Sequence, residues 1–258
     1  MNALFIDAPD AAVRCDTSGP PPDPECYEAS SPVIYANQQA ASPHSGGMPV
    51  SFKIRLANDE GRRSKASYLI RKMYGWRGYS TSGLNEEPNR ITLVASDDDR
   101  VLGTLSIGLD SPTGLLVDQL YKEEVDVLRA GGARACEFTK LAVDRGSQSR
   151  EMLAMLFHIA YMYARRIHGC TDLLIEVNPR HVRYYHAMLG FEVLGTERVC
   201  PRVGAPGVLL RLDLAYSEAQ IAMFGGRRHL ASQVRSLYPL GFSRAEEDGI
   251  CGRLLALG

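Results

Sequence analysis

Residues Cys136–Met152 read CEFTKLAVDRGSQSREM, and the fold turns on what this stretch is. An apolar strand runs toward Val143, a short polar turn follows, and an apolar helix opens near Arg150. Strand–turn–helix junctions of this kind hold phosphates, because free backbone amides and the positive end of the helix converge there. Amides crowd around a pyrophosphate only where glycine lets them approach, and this turn has a single one, Gly146. Three readings are open: a pyrophosphate loop short of glycine, a different kind of phosphate site, or a plain connection.

Working outward, the helix carries Met152, Leu153, Met155, Leu156, Ile159, Ala160, Tyr163 and Ile167 as a buried stripe. Upstream, LLVDQLYKEEVDVLRAGG predicts a helix closed by Gly131 and Gly132. RITLVAS and VLGTLSIGL flank the acidic turn Asp97-Asp98-Asp99 as an antiparallel hairpin. Before them come a strand, SFKIRLA, and a helix, GRRSKASYLIRKMYGW, with Ala66, Leu69, Ile70 and Met73 at helical spacing. Downstream follow the apolar strand TDLLIEVN, the short helix RHVRYYHAML broken at Gly190, and the strands FEVLGTERV and GVLLRLDL. The order predicts one α/β (α+β) domain over 50–215.

Residues 1–49 read as an acidic, proline-rich, disordered tail, with Pro20, Pro21, Pro22 and Pro24 clustered among six acids. Residues 216–258 read as a helical extension, since Ser217 with Gln220 and Ser243 with Glu246 have capping-box spacing. The stretch GGRRHLASQVRSLYPLGF within it has three candidate roles: docking a carrier protein, weak membrane-surface contact, or capping the core, the last being the expectation.

A formal net charge of −1 and a single tryptophan, Trp76, argue against a nucleic-acid partner. Six widely spaced cysteines without a C-x-x-C pair argue against zinc and for free thiols in a reducing compartment. The most apolar run, Met152–Ala164, is too short to span a bilayer, and the amino-terminus lacks a basic signal region, so a cytoplasmic location is expected.

The stretch NPRHVRYYHAMLGFEVLG, behind a strand ending in AV, resembles the late motif of the GNAT acyltransferase superfamily. Within that superfamily, LIRKMYGWRGY, CEFTKLAV and the inserted helix ending Arg129-Ala130-Gly131-Gly132 resemble the long-chain N-acyl amino acid synthases of FeeM type, relatives of the acyl-homoserine-lactone synthases. The resemblance covers about Ser51 to Leu214. It implies a mixed central sheet with flanking helices, in which the fourth and fifth strands splay apart. It also implies that the backbone of Leu141, Ala142 and Val143 pairs with a pantetheine arm, while Arg145 and Arg150 meet the donor's phosphate.

Acyl carrier protein brings that arm through one phosphodiester without pyrophosphate, so a glycine-poor loop suits a carrier donor better than CoA. Arg165 and Arg166 are further candidate cations for its acidic helix. The catalytic expectations are Glu137, as base or amine-orienting group in mid-sheet, and Tyr185, as acid to the leaving thiolate. Simple alternation puts Glu137, Thr139, Leu141 and Val143 on one face, and Cys136, Phe138, Lys140 and Ala142 on the other. Tyr185 stands one residue off the superfamily's spacing, where His186 sits. Arg71 and Tyr74 match the subfamily's Arg-x-x-Tyr pattern and, with Thr139, are the expected acceptor contacts.

The function so implied is transfer of a long-chain fatty acyl group from acyl carrier protein to the α-amine of an amino acid, with no tightly bound cofactor. Alternatives are a CoA-dependent N-acetyltransferase acting on a small amine, and a non-catalytic acyl- or carrier-binding module. A Gln in place of Glu137 is expected to abolish turnover while keeping the fold.

Overall fold

The computed structural model describes residues 32–37, 51–76, 78, 84, 89–97, 100–144 and 150–256. Eight strands form one sheet in the order β1-β2-β3-β4-β5-β6-β8-β7. They are β1 (Tyr35–Asn37), β2 (Phe52–Leu56), β3 (Arg90–Asp97), β4 (Arg100–Leu109), β5 (Ala135–Val143), β6 (Asp172–Val177), β7 (Glu192–Cys200) and β8 (Ala205–Asp213). Every neighbouring pair is antiparallel except β5 and β6.

Helix α1 (Glu60–Gly75) packs Leu69, Ile70 and Met73 against Ala142 of β5. Helix α2 (Asp118–Ala130) covers Ala135 and Leu174 with Tyr121 and Val125. Helix α3 (Arg150–Tyr161) fills the opposite face and continues as a π-helical turn, Met162–Ile167. Helix α4 (Val182–Leu189) ends at Gly190, whose φ of 83° is the left-handed cap that glycine supplies without strain. Helices α5 (Leu214–Phe224) and α6 (Arg244–Leu255) complete the chain.

Several expectations change. The stretch 32–37, assigned to the disordered tail, contains β1. Val33-Ile34-Tyr35 is an apolar island in that polar tail; Ile34 is fully buried and donates to Ile54 O at 2.9 Å. Arg253 of α6 holds Ile34 O at 2.7 Å, and Tyr35 meets Phe242 edge-on at 4.7 Å. The rest of the tail lies outside the described residues, as do Asp98 and Asp99 of the hairpin turn.

Helix α3 is buried on all sides from Met152 to Tyr161 rather than along one stripe, because the carboxy-terminal extension covers the face turned away from the sheet. The Ser243–Glu246 capping box forms as expected. Ser217 caps nothing: Asp213 caps α5, and Ser217 sits buried within it. The segment 225–243 folds into turns and two 3₁₀ pieces instead of a helix.

Candidate active site at the opening of the central strands

Strands β5 and β6 share only three rungs, from Ala135↔Asp172 to Glu137↔Leu174, although β5 runs on to Val143 and β6 to Val177. Beyond Glu137, the β5 edge turned toward β6 has no strand partner among the described residues. This is the splay expected between the fourth and fifth strands of the fold.

On its other edge β5 stays paired to β4, but the register jumps from Ser106↔Thr139 to Thr104↔Ala142. Leu105 therefore faces two residues, Lys140 and Leu141, which is a β-bulge. Lys140 takes the left-handed φ of 50°, and Thr104 Oγ1 donates to its carbonyl at 2.8 Å. The bulge breaks the alternation assumed from sequence. Glu137 and Thr139 face the α1–α2 side, but after the bulge it is Ala142 that packs against α1, while Val143 joins Cys136 and Phe138 in the core around α3. One extra residue thus exchanges the two faces of the strand.

Glu137 is fully buried and its charge is met from two directions. Arg90 Nη2 donates to Oε1 at 2.5 Å; the amides of Leu116 and Val117 donate to Oε1 and Oε2 at 3.0 and 3.1 Å. Arg90, with a side chain only 9% exposed, passes Nη1 to Thr139 Oγ1 at 2.9 Å. A charged chain therefore runs from the entry of α2 through Glu137 and Arg90 to a half-buried hydroxyl at the opened edge. Arg90 was not singled out in the sequence, where it is simply the first residue of the strand RITLVAS; its only signal was the need of a mid-sheet carboxylate for a cation.

The inserted helix is held by Arg129, which donates to both oxygens of Asp110 (2.7 and 2.8 Å) and both of Asp118 (2.8 and 2.9 Å). Contacts with these acids raise the Arg129 pKa, and Asp118 falls below the usual carboxylate range, burial being outweighed by Arg129 and the Leu115 amide. The arginine in Arg-x-Gly-Gly thereby fixes the turn whose amides hold Glu137.

Tyr185 is 6% exposed and packs edge-on against Phe157 and Phe191, with ring centroids 6.3 and 5.7 Å away. Burial, with the Tyr74 and Tyr184 phenols nearby, pushes its pKa far up. His186 is exposed, and its Nδ1 meets Phe191 O at 2.9 Å beyond the helix end.

Arg71 is exposed on α1, apart from the Glu137 chain. Arg150 is exposed at the start of α3 and donates to Ser236 O at 3.3 Å. Arg145 and Gly146 lie outside the described residues. Arg165 and Arg166 are committed elsewhere, to Glu218 and to Glu247 and Asp248, because the π-helical turn aims them at α5 and α6. Cys136 is buried, and contact with Cys170 together with burial raises its thiol pKa. Among the described residues no cluster suited to a metal occurs, and no helix is long and apolar enough to cross a membrane.

An eight-stranded mixed sheet, one parallel pair that opens after three rungs, and helices on both faces define the GNAT acyltransferase fold. The solved structure of FeeM, an N-acyl amino acid synthase from uncultured soil microbes, matches with a TM-score of 0.61 at 26% identity, over 65% of this chain and 94% of that one. The chain belongs to the FeeM family of N-acyl amino acid synthases, whose family model matches residues 65–213, and it is an acyltransferase. More distant are the AHL synthase LasI (14% identity, TM-score 0.48, 63% of this chain and 90% of that one) and an acyl-CoA N-acyltransferase from Pseudomonas aeruginosa (14%, 0.45, 62% and 97%). No curated protein sequence matches the chain.

Proposed function

We propose that this acyltransferase moves a long-chain fatty acyl group from acyl carrier protein to the α-amine of an amino acid. The observation that carries the reading is the edge of β5 that parts from β6 beyond Glu137 and pairs with no further strand among the described residues, with Thr139 on one face and an apolar core on the other. An extended pantetheine arm adds to such an edge as a further strand, through the backbone of Leu141, Ala142 and Val143. Its thioester then lies between a polar side fit for the amine and an apolar side fit for the acyl chain.

The neutral amine nitrogen attacks the thioester carbonyl carbon. As the C–N bond forms and the C–S bond breaks, the departing thiolate receives the proton the nitrogen gives up, so no net proton is left over. Glu137, held by Arg90 and two amides, positions rather than shuttles protons: through Arg90 it fixes the Thr139 hydroxyl, whose own hydrogen is left to meet the substrate. Tyr74 and Arg71 on α1 are the candidates for the acceptor's carboxylate.

Arg150, exposed at the start of α3, is the candidate among the described residues for the single phosphodiester of a carrier, and in sequence Arg145 stands five residues before it. Arg150 neighbours Tyr184 and Ser236; the adjacent Arg183 and Arg235 are exposed, with no acidic partner among the described residues. Such cations suit the acidic surface of a carrier protein, and a sequence with Gly146 as the single glycine between Val143 and Arg150 suits one phosphate better than two.

The test offers palmitoyl carrier protein or palmitoyl-CoA, each with pooled amino acids, and detects products by mass. N-acyl amino acid formed mainly from the carrier is expected, and the mass names the acceptor. Product mainly from CoA would overturn the donor assignment, and no product from either would leave a binding module.

A further inference from the structure

The core on the far side of β5 is not completely filled. A cavity of about 30 Å³ lies against Phe138, the first β5 residue beyond the last shared rung, and against Leu173 of β6. From there it runs under α3 to the carboxy-terminal extension, and five of its lining residues, Ser217, Ile221, Leu237, Tyr238 and Gly241, lie beyond residue 213, where the family match ends.

Its polar groups are all engaged with protein. The Tyr238 hydroxyl donates to Leu189 O at 2.7 Å and lies 3.3 Å from Ser217 Oγ. His158 Nδ1 accepts from the Phe242 amide at 2.9 Å, which leaves Nε2–H to donate to Glu247 at 2.7 Å. What faces the void is mostly hydrocarbon, and apolar cavities of this kind stay dry and admit apolar ligands.

We infer that this cavity receives the terminal carbons of the acyl chain, and that Leu237 and Tyr238 of the carboxy-terminal extension form the stop that sets acyl-chain length. The inference rests on the acyl-transfer reading and adds to it a selectivity element outside the matched family segment. By volume the cavity is a tip pocket, since an engineered apolar cavity that takes a benzene measures about 150 Å³. The stop is firmly mounted: the Leu237 amide donates to Met188 O at 3.0 Å, and its residue is 1% exposed. Opposite it, Ala154 of α3 leaves the space that a larger side chain would fill.

Two variants move the boundary in opposite directions. Leu237→Ala deepens the pocket and Ala154→Leu shortens it; neither touches the Glu137–Arg90–Thr139 chain. Wild type and both variants are assayed with a graded series of even-numbered saturated acyl donors, and each protein is checked by thermal melting. One methylene fitted or excluded changes kcat/KM by roughly tenfold or more. Leu237→Ala should therefore favour longer donors by about that factor, and Ala154→Leu should favour shorter ones.

An unchanged length profile in the folded, active variants overturns the inference and leaves acyl transfer standing. Should the wild type give no product from any donor, acyl transfer falls, and thermal stabilisation by free fatty acids of graded length decides the pocket. Opposite shifts in the best-stabilising length support the inference; identical profiles overturn it. If one variant does not fold, the other decides by its own direction.

Discussion

Among the described residues two glutamates are buried, and their networks end in different places. Glu137 (0% exposed) sits at the last shared rung of β5 and β6; Glu247 (1% exposed) sits in α6, beneath the extension. Each is matched by cations: Glu137 by Arg90, and Glu247 by Arg166 and Arg244 at 3.3 and 3.2 Å, with the His158 Nε2–H as a further donor at 2.7 Å. The Glu247 contacts all end on elements that need joining, α3, its π-helical turn and α6. The Glu137 chain ends on a half-buried hydroxyl where β5 has parted from β6. Burial and charge pairing therefore do not mark a site by themselves; what marks it is where the network terminates.

The sharpest way to break this comparison is to neutralise each glutamate. Breaking a buried ion pair by removing one charge costs about 3–5 kcal/mol. Both Glu137→Gln and Glu247→Gln should show losses of that order in denaturant unfolding. Glu137→Gln should also lose turnover, whereas Glu247→Gln should keep the kcat of the folded enzyme. The simple expectation that Glu137→Gln leaves the fold untouched is thus revised, because Arg90 would be left buried without its partner. Retained turnover in Glu137→Gln, measured where the protein is still folded, would remove the distinction between the two centres.

The same pair can be separated by pH. Burial opposes ionisation of Glu247, but His158, Arg166 and Arg244 outweigh it and hold the carboxyl below its usual range. A depressed folded pKa gives stability that is full above the unfolded value, about 4.3, and is lost as pH falls through the folded one. The Tm gap between wild type and Glu247→Gln should therefore close on acidification below about pH 4. A gap that widened instead would mean the carboxyl is protonated in the folded protein.

Much of this was legible in the sequence, for identifiable reasons. Strand and helix order, the Gly190 stop and the Ser243–Glu246 box are local signals, carried by periodicity and turn chemistry, whereas the splay of the central strands came from the resemblance alone. The bulge at Lys140 was not legible, because nothing in CEFTKLAV differs from a regular strand; only the register against β4 imposes it. Arg90 was equally hidden, its partner lying 47 residues away. The disordered-tail expectation overlooked Val33-Ile34-Tyr35, whose burial depends on Phe242 and Arg253 at the far end of the chain. Of the donor contacts, Leu141, Ala142 and Val143 were placed by resemblance, since an exposed backbone demands no particular side chain.

Thr139→Val probes the hydroxyl on which the Glu137 chain ends. It removes one acceptor from Arg90 and should cost only about 1 kcal/mol of stability. If that hydroxyl orients the substrate, kcat/KM should fall roughly tenfold to hundredfold, the scale of a misplaced reactant. Unchanged kinetics would make the whole Glu137–Arg90 chain structural, like that of Glu247.

The smallest effect is expected at Tyr185, the residue the resemblance marks as the acid. A positioned general acid contributes about 10²–10⁴-fold, so loss of an acting phenol would be unmistakable. The Tyr185 ring is instead wedged between Phe157 and Phe191, and its raised pKa makes the phenol reluctant to give up its proton. A pantetheine thiolate leaves without help and can take the amine's proton itself. Tyr185→Phe keeps the ring contacts and should change kcat by less than about tenfold, with stability within about 1 kcal/mol of wild type. A hundredfold loss in a normally folded Tyr185→Phe would restore the phenol as the acid and place a proton-handling group on the apolar side of the opening.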